Sequence, residues 1–418
     1  MGDLTILAYP FLFAAIYFEA FLLVTFLSAP ARKVRERPTS RETLSVAMIF
    51  PCYNEQDTVG GTVDSLLALD YPKEKLSIIL VNDGSTDGTA AVMDAYAHYP
   101  NVSVIHQENG GKHTALNAGI ALSGTADLIG CLDADSFVEP SSLQEMIACF
   151  ADSDVGAATA AMSVHKPANI LERMQNAEYI LGIALRHILA AVNGIYVTPG
   201  PLSLYRRDLL DRIGGFRHGH NTEDMEMALR IQRAGYRIES AHTARVYTKV
   251  PSSVPKLVKQ RVRWTTGFLR NMTNEYRDLV GNPRYGALGV IVLPLGFLAI
   301  LGGIVMFFLV LYQLVRQAIT TYMVTHGVPF QYTLSTFVPR FDTIEWFYAP
   351  ITLFSLVAFV AVAGTLLFIV VGKRISGTTD GINTSGMLGY IFIYGLIAPF
   401  WLVRSVADVA IGTYRHWR

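Results

Sequence analysis

The chain has 418 residues, 51% of them apolar, and 34 Lys plus Arg balance 34 Asp plus Glu. That length allows two or more domains, and the balanced charge argues against a nucleic-acid or polyanion partner. Its three cysteines, Cys52, Cys131 and Cys149, cannot close a disulfide framework and have no zinc-site spacing, so they read as core residues.

Leu4–Ser28 is almost uncharged, interrupted only by Glu19, and is long enough to cross a bilayer of ~30 Å. It lacks a basic start and a small-residue cleavage site, which makes residues 1–30 an uncleaved anchor. The basic "RKVRER", Arg32–Arg37, predicts that the domain after it is cytoplasmic. Residues 40–250 have the composition of a soluble domain, and 251–280 read as an amphipathic interface helix. Residues 285–418 hold three more candidate spans: Tyr285–Val315, Phe347–Val371 and Met387–Ile411. Four crossings put Lys373 and Arg374 inside, but they leave the terminal "YRHWR" outside and Arg404 within the last span. Either that last segment does not cross fully, or the count is off by one.

Within the soluble part, "LSVAMIF" (Leu44–Phe50) is a short apolar run stopped by Pro51 and predicts a buried strand. A helix is expected from Asn54 to about Leu69. Strands are expected at Leu76–Asn82, Asn101–His106 and Asp127–Leu132, separated by helices that begin near Ser85, Thr86 and Asp87 and at "KHTALNAGIAL". Strand alternating with helix implies an α/β fold with a mainly parallel sheet, in which ligands gather at the carboxyl ends of the strands.

Polar clusters occupy those ends. "PCYNE" comes after the first strand, "NDGSTDGT" after the second and "DADS" after the fourth. Each taken alone could be an ordinary turn. In an extended segment Asp133 and Asp135 would point to one side and repel unless a cation joined them. A hard ion, Mg2+ or Mn2+, takes one or two carboxylates and completes its shell with water and phosphate. "ENGGKHTALN" sets two glycines and Lys112 at a helix start, a place that favours an anion. "GHNTEDMEMALRIQRAGY" puts Thr222, Glu223 and Asp224 at the head of an amphipathic helix, where capping residues are common and where an acid could also serve as a base.

The ordered set "YNE", "NDGSTD", "GGK", "DAD", "TED", "QRVRW" resembles that of membrane-embedded, processive family 2 glycosyltransferases, strongly over residues 40–275. The bacterial poly-N-acetylglucosamine synthases come first, with chitin-oligosaccharide and hyaluronan synthases beside them. The resemblance implies a GT-A domain, Rossmann-like with a mainly parallel sheet, facing the cytosol and inserted between transmembrane helices of the inner membrane. It implies inverting transfer from a nucleotide sugar, most simply N-acetylglucosamine from UDP-GlcNAc, to a growing polysaccharide or oligosaccharide that passes through the bilayer, with room for export or accessory subunits and no nucleic acid. Carried over residue by residue, Pro51, Tyr53, Glu55 and Asp83 would hold the uridine, and Asp133 the nucleotide-sugar side. Asp135 would bind Mg2+ or Mn2+, Lys112 and Arg263 would lie near the diphosphate, and Asp224 would be the base. Thr222 and Glu223 complete the "TED" element; Gln260, Arg263 and Trp264 form Q-x-x-R-W, and "TPGPLSLYRR" would lie beside the acceptor. A single-sugar transferase acting on a lipid carrier shares the donor motifs but does not need Q-x-x-R-W. A non-catalytic nucleotide-sugar sensor would need neither base nor metal carboxylate.

Drawn as a helix, Ser253–Arg277 sets Gln260, Arg263 and Trp264 on one face. Val254, Leu257, Val258, Val262, Phe268, Leu269 and Met272 form another arc, suited to the bilayer interface. Arg261 falls toward that apolar side and is expected to snorkel to headgroups, while Lys256 and Lys259 read as orientation signals.

Overall fold

The computed structural model describes residues 4–28, 44–327, 353–377 and 383–413. The basic Arg32–Arg37, residues 347–352 of one expected span and the terminal Tyr414–Arg418 lie outside them.

Strands run at β1 (Val46–Cys52), β2 (Leu76–Asp83), β3 (Val102–Gln107), β4 (Leu128–Cys131), β5 (Ser136–Val138), β6 (Val155–Val164), β7 (Ser203–Arg206) and β8 (Arg237–Thr248). They form one sheet in the order β3-β2-β1-β4-β7-β6-β8-β5. β3, β2, β1 and β4 are mutually parallel, as are β6 and β8, whereas β7 and β5 pair antiparallel with their neighbours. The sheet is thus mostly parallel but mixed. Both of its faces are covered: Ala47 and Ile49 of β1 enter one apolar cluster, while Val46, Met48 and Phe50 enter another. A strand buried on both faces has to be a nearly continuous apolar run, which is how β1 and β2 read in the sequence.

The helices are α1 (Tyr9–Ser28), α2 (Val59–Leu67), α3 (Thr89–Asp94), α4 (Lys112–Leu122), α5 (Ser142–Ile147), α6 (Ile170–Ala191), α7 (Arg207–Ile213), α8 (Glu223–Arg233) and α9 (Val254–Arg270), then α10 (Leu293–Thr325), α11 (Leu353–Ser376) and α12 (Thr384–Ala410). Two of them start later than expected. The helix placed from Asn54 begins at Val59, because Asn54 has φ 55° and the preceding loop is tied to the β2 loop. There the Asn54 side-chain oxygen accepts from Thr86 N at 2.8 Å, and Glu55 N donates to Thr89 Oγ1 at 2.8 Å. The next helix starts at Thr89, after Asp87 Oδ1 has accepted from Thr89 N at 3.0 Å.

Among the described residues four helices are long and apolar enough to cross a membrane: Ile6–Ser28, Leu288–Thr325, Ser355–Ser376 and Thr384–Ala410. Three of them meet the sheet domain over part of their length. Leu22 of α1 enters the core under the sheet, and Gly296 near the start of α10 packs on Phe268. The carbonyls of Ser376 and Gly377, at the end of α11, accept from Arg245 of β8. α12 behaves differently and meets the domain along its whole length. Gly386 and Gly389 press on Arg173 and Met174 of α6, and Tyr394 bonds Glu178 of α6. Farther along, Ser405 reaches the Val262 carbonyl, and Arg270 of α9 donates to the carbonyls of Asp408 and Thr413. Its other face is an apolar stripe of Leu388, Phe392, Leu396, Phe400 and Val403.

This packing corrects the reading of α9. Its apolar arc lies against α12 and the domain, with Leu257 and Val262 clustered with Trp401 of α12. Val254, expected in the same arc, is 44% exposed.

Candidate active site

The carboxyl ends of the parallel strands carry the polar clusters to one edge. Asp83 closes β2 and is 3% exposed. One of its oxygens accepts from Gly110 N (3.0 Å) and Gln107 Nε2 (2.7 Å), the other from Gly111 N (2.9 Å). The glycine loop is thereby curled over the end of β2, and α4 starts immediately afterwards at Lys112. Pro51 and Tyr53 sit at the end of β1, with Tyr53 38% exposed and Glu55 two residues on. Glu55 accepts from its own turn, from Thr58 Oγ1 at 2.5 Å.

"DAD" is a turn, not an extended segment. β4 ends at Cys131, and Ser136 N donates back to the Asp133 carbonyl at 3.1 Å. The bend is needed because β5 pairs with β8, at the far side of the sheet from β4. Asp133 and Asp135 nevertheless stay close enough to act on each other. Burial pushes Asp135 up to about 6, and the charges of Asp133 and Glu55 add to it. Thr248 Oγ1 donates to Asp135 Oδ1 at 3.1 Å and opposes that rise.

α8 delivers the second pair of acids. Its entry is held in an unusual backbone, with φ 55° at His220 and 67° at Asn221. Such left-handed residues cost about 1–3 kcal/mol each and persist only where their surroundings enforce them. Here Asn271 Nδ2 donates to the Gly219 carbonyl (3.2 Å) and to Thr222 Oγ1 (3.1 Å). Thr222 is 2% exposed and packs against Gly267 of α9, where an added Cβ would come within 2.4 Å of its methyl. Thr198 Oγ1 donates to the Asp224 carbonyl at 2.9 Å and itself accepts from Tyr205 OH at 2.9 Å. At the other end of this bracing, Glu226 pairs with Arg230 (2.7 Å) and accepts from Tyr276 OH (2.6 Å). Removing one member of such a buried pair typically costs about 3–5 kcal/mol.

Lys112 joins the two halves. Its Nζ is 2.5 Å from Asp133 Oδ1 and 3.1 Å from Glu223 Oε1. Burial works against its charge, but Asp133, Glu223 and Asp224 outweigh it and hold the ammonium well above the ordinary lysine value. For Glu223, burial is likewise overcome, by Lys112 and Arg263, and its carboxyl lies below the usual range. Asp224 has no such direct partner: burial, then Glu223, push it up to about 6, against the pull of Lys112 and Arg263. Gly200, in the "TPGPLSLYRR" segment, packs flat against this pair; a Cβ there would lie 2.4 Å from Asp133 Oδ2 and 2.6 Å from Lys112 Nζ.

A cavity of about 540 Å³ opens beside Lys112, walled by Asn109–His113, His218, Asn221, Glu223, Lys256, Lys259, Gln260 and Arg263. The structure therefore brings Lys112, Glu223, Gln260 and Arg263 together, with Arg263 Nη1 donating to the Asn221 carbonyl at 2.9 Å. Trp264 does not line this cavity. One of its faces carries the Arg261 guanidinium, 4.2 Å from the ring centroid. Arg261 does not snorkel: it is 5% exposed and 2.6 Å from Glu178 Oε2, because a carboxylate on α6 meets it inside the domain. Lys256 and Lys259, read from sequence only as orientation signals, line the cavity. Their spacing with Gln260 and Arg263, at i, i+3, i+4 and i+7, is a single helical face and was the available signal. His113 and His218, edge to face at 5.4 Å, were not anticipated, and no local pattern announces them.

A family model described as Glycosyltransferase like family 2 matches residues 44–267, more than half of the chain. The chain belongs to that family. It is a nucleotide-sugar glycosyltransferase, with a GT-A-like sheet flanked by helices able to cross a membrane. Among curated relatives, the poly-beta-1,6-N-acetyl-D-glucosamine synthase of Staphylococcus aureus (strain MSSA476) is 35% identical over 234 residues, 54% of this chain and 55% of that protein. The enzyme of the same name from Staphylococcus epidermidis is 30% identical over 249 residues, 56% of this chain and 59% of that protein. The aligned part thus spans little more than half the length of these relatives. Among solved structures, the mannosyltransferase PcManGT from Pyrobaculum calidifontis, in complex with GDP-Man and Mn2+, is 19% identical with a TM-score of 0.60. That match covers 95% of this chain and 98% of the other, and it supports the fold.

Proposed function

We propose that this glycosyltransferase is an inverting, processive enzyme that adds N-acetylglucosamine from UDP-GlcNAc to a growing β-linked polysaccharide and passes it across the inner membrane. The observation that carries the reading is the docking of α9 onto the donor edge, with Gln260 and Arg263 opposite Lys112 and Glu223 in one cavity. A transferase acting once on a lipid carrier has no need of that helix. The names of the staphylococcal relatives supply the sugar.

In this reading the uridine lies against Pro51, Tyr53, Glu55 and Asp83, and Asp133 meets the nucleotide-sugar side. A divalent cation fits at Asp135: its carboxyl is raised by burial and by two neighbouring acids, a state that a cation relieves. Among the described residues no three His, Cys, Asp or Glu side chains form a closed cage, which suits an ion completed by water and diphosphate. Mg2+ or Mn2+ bound there would neutralise charge on the diphosphate. Lys112 and Arg263 stabilise the charge that grows on the leaving nucleoside diphosphate. Asp224 takes the proton of the acceptor hydroxyl as it attacks from the opposite side, so an α-linked donor gives a β-linked product.

Membrane placement rests on the same contacts. α12 has 27 residues and is ~40 Å long, yet both its ends and its middle touch domain helices. α10 leaves the domain after a turn or two, and α11 packs on α6 at Gly372 and reaches β8 at its C-terminal end, whereas α12 is held at both ends. We infer three crossings, α1, α10 and α11, with α12 lying in the cytoplasmic interface and its apolar stripe in lipid. Exposed Arg404 then reaches headgroups, and Thr413 falls on the cytoplasmic side. Thr413→Cys would react with an impermeant maleimide in inside-out vesicles and stay protected in right-side-out ones; the reverse pattern refutes this placement.

The test of function is incubation of purified protein with UDP-GlcNAc, UDP-glucose and UDP-glucuronic acid, singly and paired, with Mg2+ or Mn2+. Mass spectrometry is expected to show a ladder of N-acetylhexosamine increments from UDP-GlcNAc alone, and linkage-specific hydrolases then identify the polymer. A single addition, or no product, contradicts polymerisation.

A further inference from the structure

We propose that Glu178, Arg261 and Tyr394 are positioning residues that hold the Trp264 ring for the acceptor sugar, so that the last apolar helix is part of the catalytic apparatus. The proposal rests on the polymerising function proposed above and takes Trp264, one turn of α9 from the cavity residue Gln260, as the platform on which the acceptor sugar stacks.

Three elements meet at one carboxylate oxygen. Arg261 of α9 places Nη2 2.6 Å from Glu178 Oε2 of α6, and Tyr394 OH of α12 donates to the same oxygen at 2.6 Å. The guanidinium centre lies 4.2 Å from the Trp264 ring centroid and 6.0 Å from that of Tyr394. Tyr394 is steadied in turn by Trp401, edge on at 5.4 Å. Arg261 is 5% exposed and Tyr394 8%, whereas Trp264 is only partly buried.

A planar cation is thus clamped by a carboxylate on one side and laid along an indole on the other. Cation–π attraction fixes the ring plane and occupies one face. The partly exposed remainder of the ring is left for a flat, weakly polar partner, and the C–H face of a pyranose is such a surface. Gln260 and Arg263 leave the same helix toward the donor cavity, so a sugar stacked on Trp264 sits next to the donor. Without Glu178 the guanidinium would be a buried charge with no carboxylate, and Trp264 would lose its backing. Because Tyr394 belongs to α12, a shift of that helix changes the tilt of the acceptor platform.

The test uses full-length protein in nanodiscs with Trp346 and Trp417 replaced by Phe and Trp401 kept because it packs on Tyr394, and the Trp264 signal is taken as the difference from the same protein carrying Trp264→Phe. In the double variant Glu178→Gln/Arg261→Met, which removes both charges together, acrylamide quenching of Trp264 is expected to rise. The KM for a chito-oligosaccharide primer should rise on the order of tenfold while the KM for UDP-GlcNAc stays put. Tyr394→Phe, which removes one hydroxyl, should move both readouts the same way by less, and it decides the matter if the double variant does not fold. Unchanged Trp264 quenching, or a loss confined to donor KM, overturns the proposal. If the parent protein transfers no sugar, the proposed function fails on its own, and quenching still judges the positioning.

Discussion

Lys112 links two pairs of acids, Asp133 and Asp135 on the turn after β4 and Glu223 and Asp224 at the head of α8, by bonding one member of each. In each pair one member is bonded to the lysine, Asp133 at 2.5 Å and Glu223 at 3.1 Å, and the other is left with a carboxyl raised to about 6. The pairs differ in what surrounds the raised member. Asp135 is raised by burial and by two further carboxylates, Asp133 and Glu55, and eased only by the hydroxyls of Thr248 and Ser136 among its main influences. Asp224 feels one, Glu223, and is drawn down by Lys112 and Arg263. In the proposed reading the first environment is one that a metal ion relieves, and the second holds the base near neutrality. Environments of this kind, not residue type, divide the work between like groups.

The division can be broken at either side. Asp224→Asn is expected to lower transfer by about 10²–10⁴-fold while donor affinity is kept, measured by turnover and by calorimetric titration with UDP. Near-normal turnover would remove Asp224 from its role. Lys112→Met should cost on the order of 10²–10³-fold in kcat/KM. It should also move the acid limb of the pH profile upward, since Lys112 lowers the Asp224 carboxyl. Asp135→Asn should weaken activation by Mn2+ by about 10–100-fold, read from metal titrations, and leave the acid limb in place. The smallest change is at the contact between the head of α8 and α9. Gly267→Ala pushes a methyl onto Thr222 and should cost about 1–3 kcal/mol, read as a lowered Tm.

Much of the parallel half of the sheet was legible in sequence, because β1, β2 and β4 are apolar runs that end in turn chemistry. The other half was not. β6 is built of small residues, "VGAATAAMSV", all ten buried, and small residues carry no alternation. β5 has three residues and owes its existence to β8. The same divide runs through the site. Motif order brought Lys112, Asp133 and Glu223 to attention separately, but their meeting is a tertiary fact that no spacing encodes. Arg261 is the clearest case: helical periodicity put it on the apolar side, and both snorkelling and burial fit that position. Glu178, more than eighty positions earlier, decides for burial.

The division of labour is tested most directly by the pH dependence of turnover at saturating donor and metal. Asp224 must be ionised to accept a proton, so the rate should climb about tenfold per pH unit below about 6 and level off above it. The residual rate of Asp224→Asn should lack that limb. A flat profile through pH 6 in the parent protein, or an unchanged limb in Asp224→Asn, would contradict the assignment of the base.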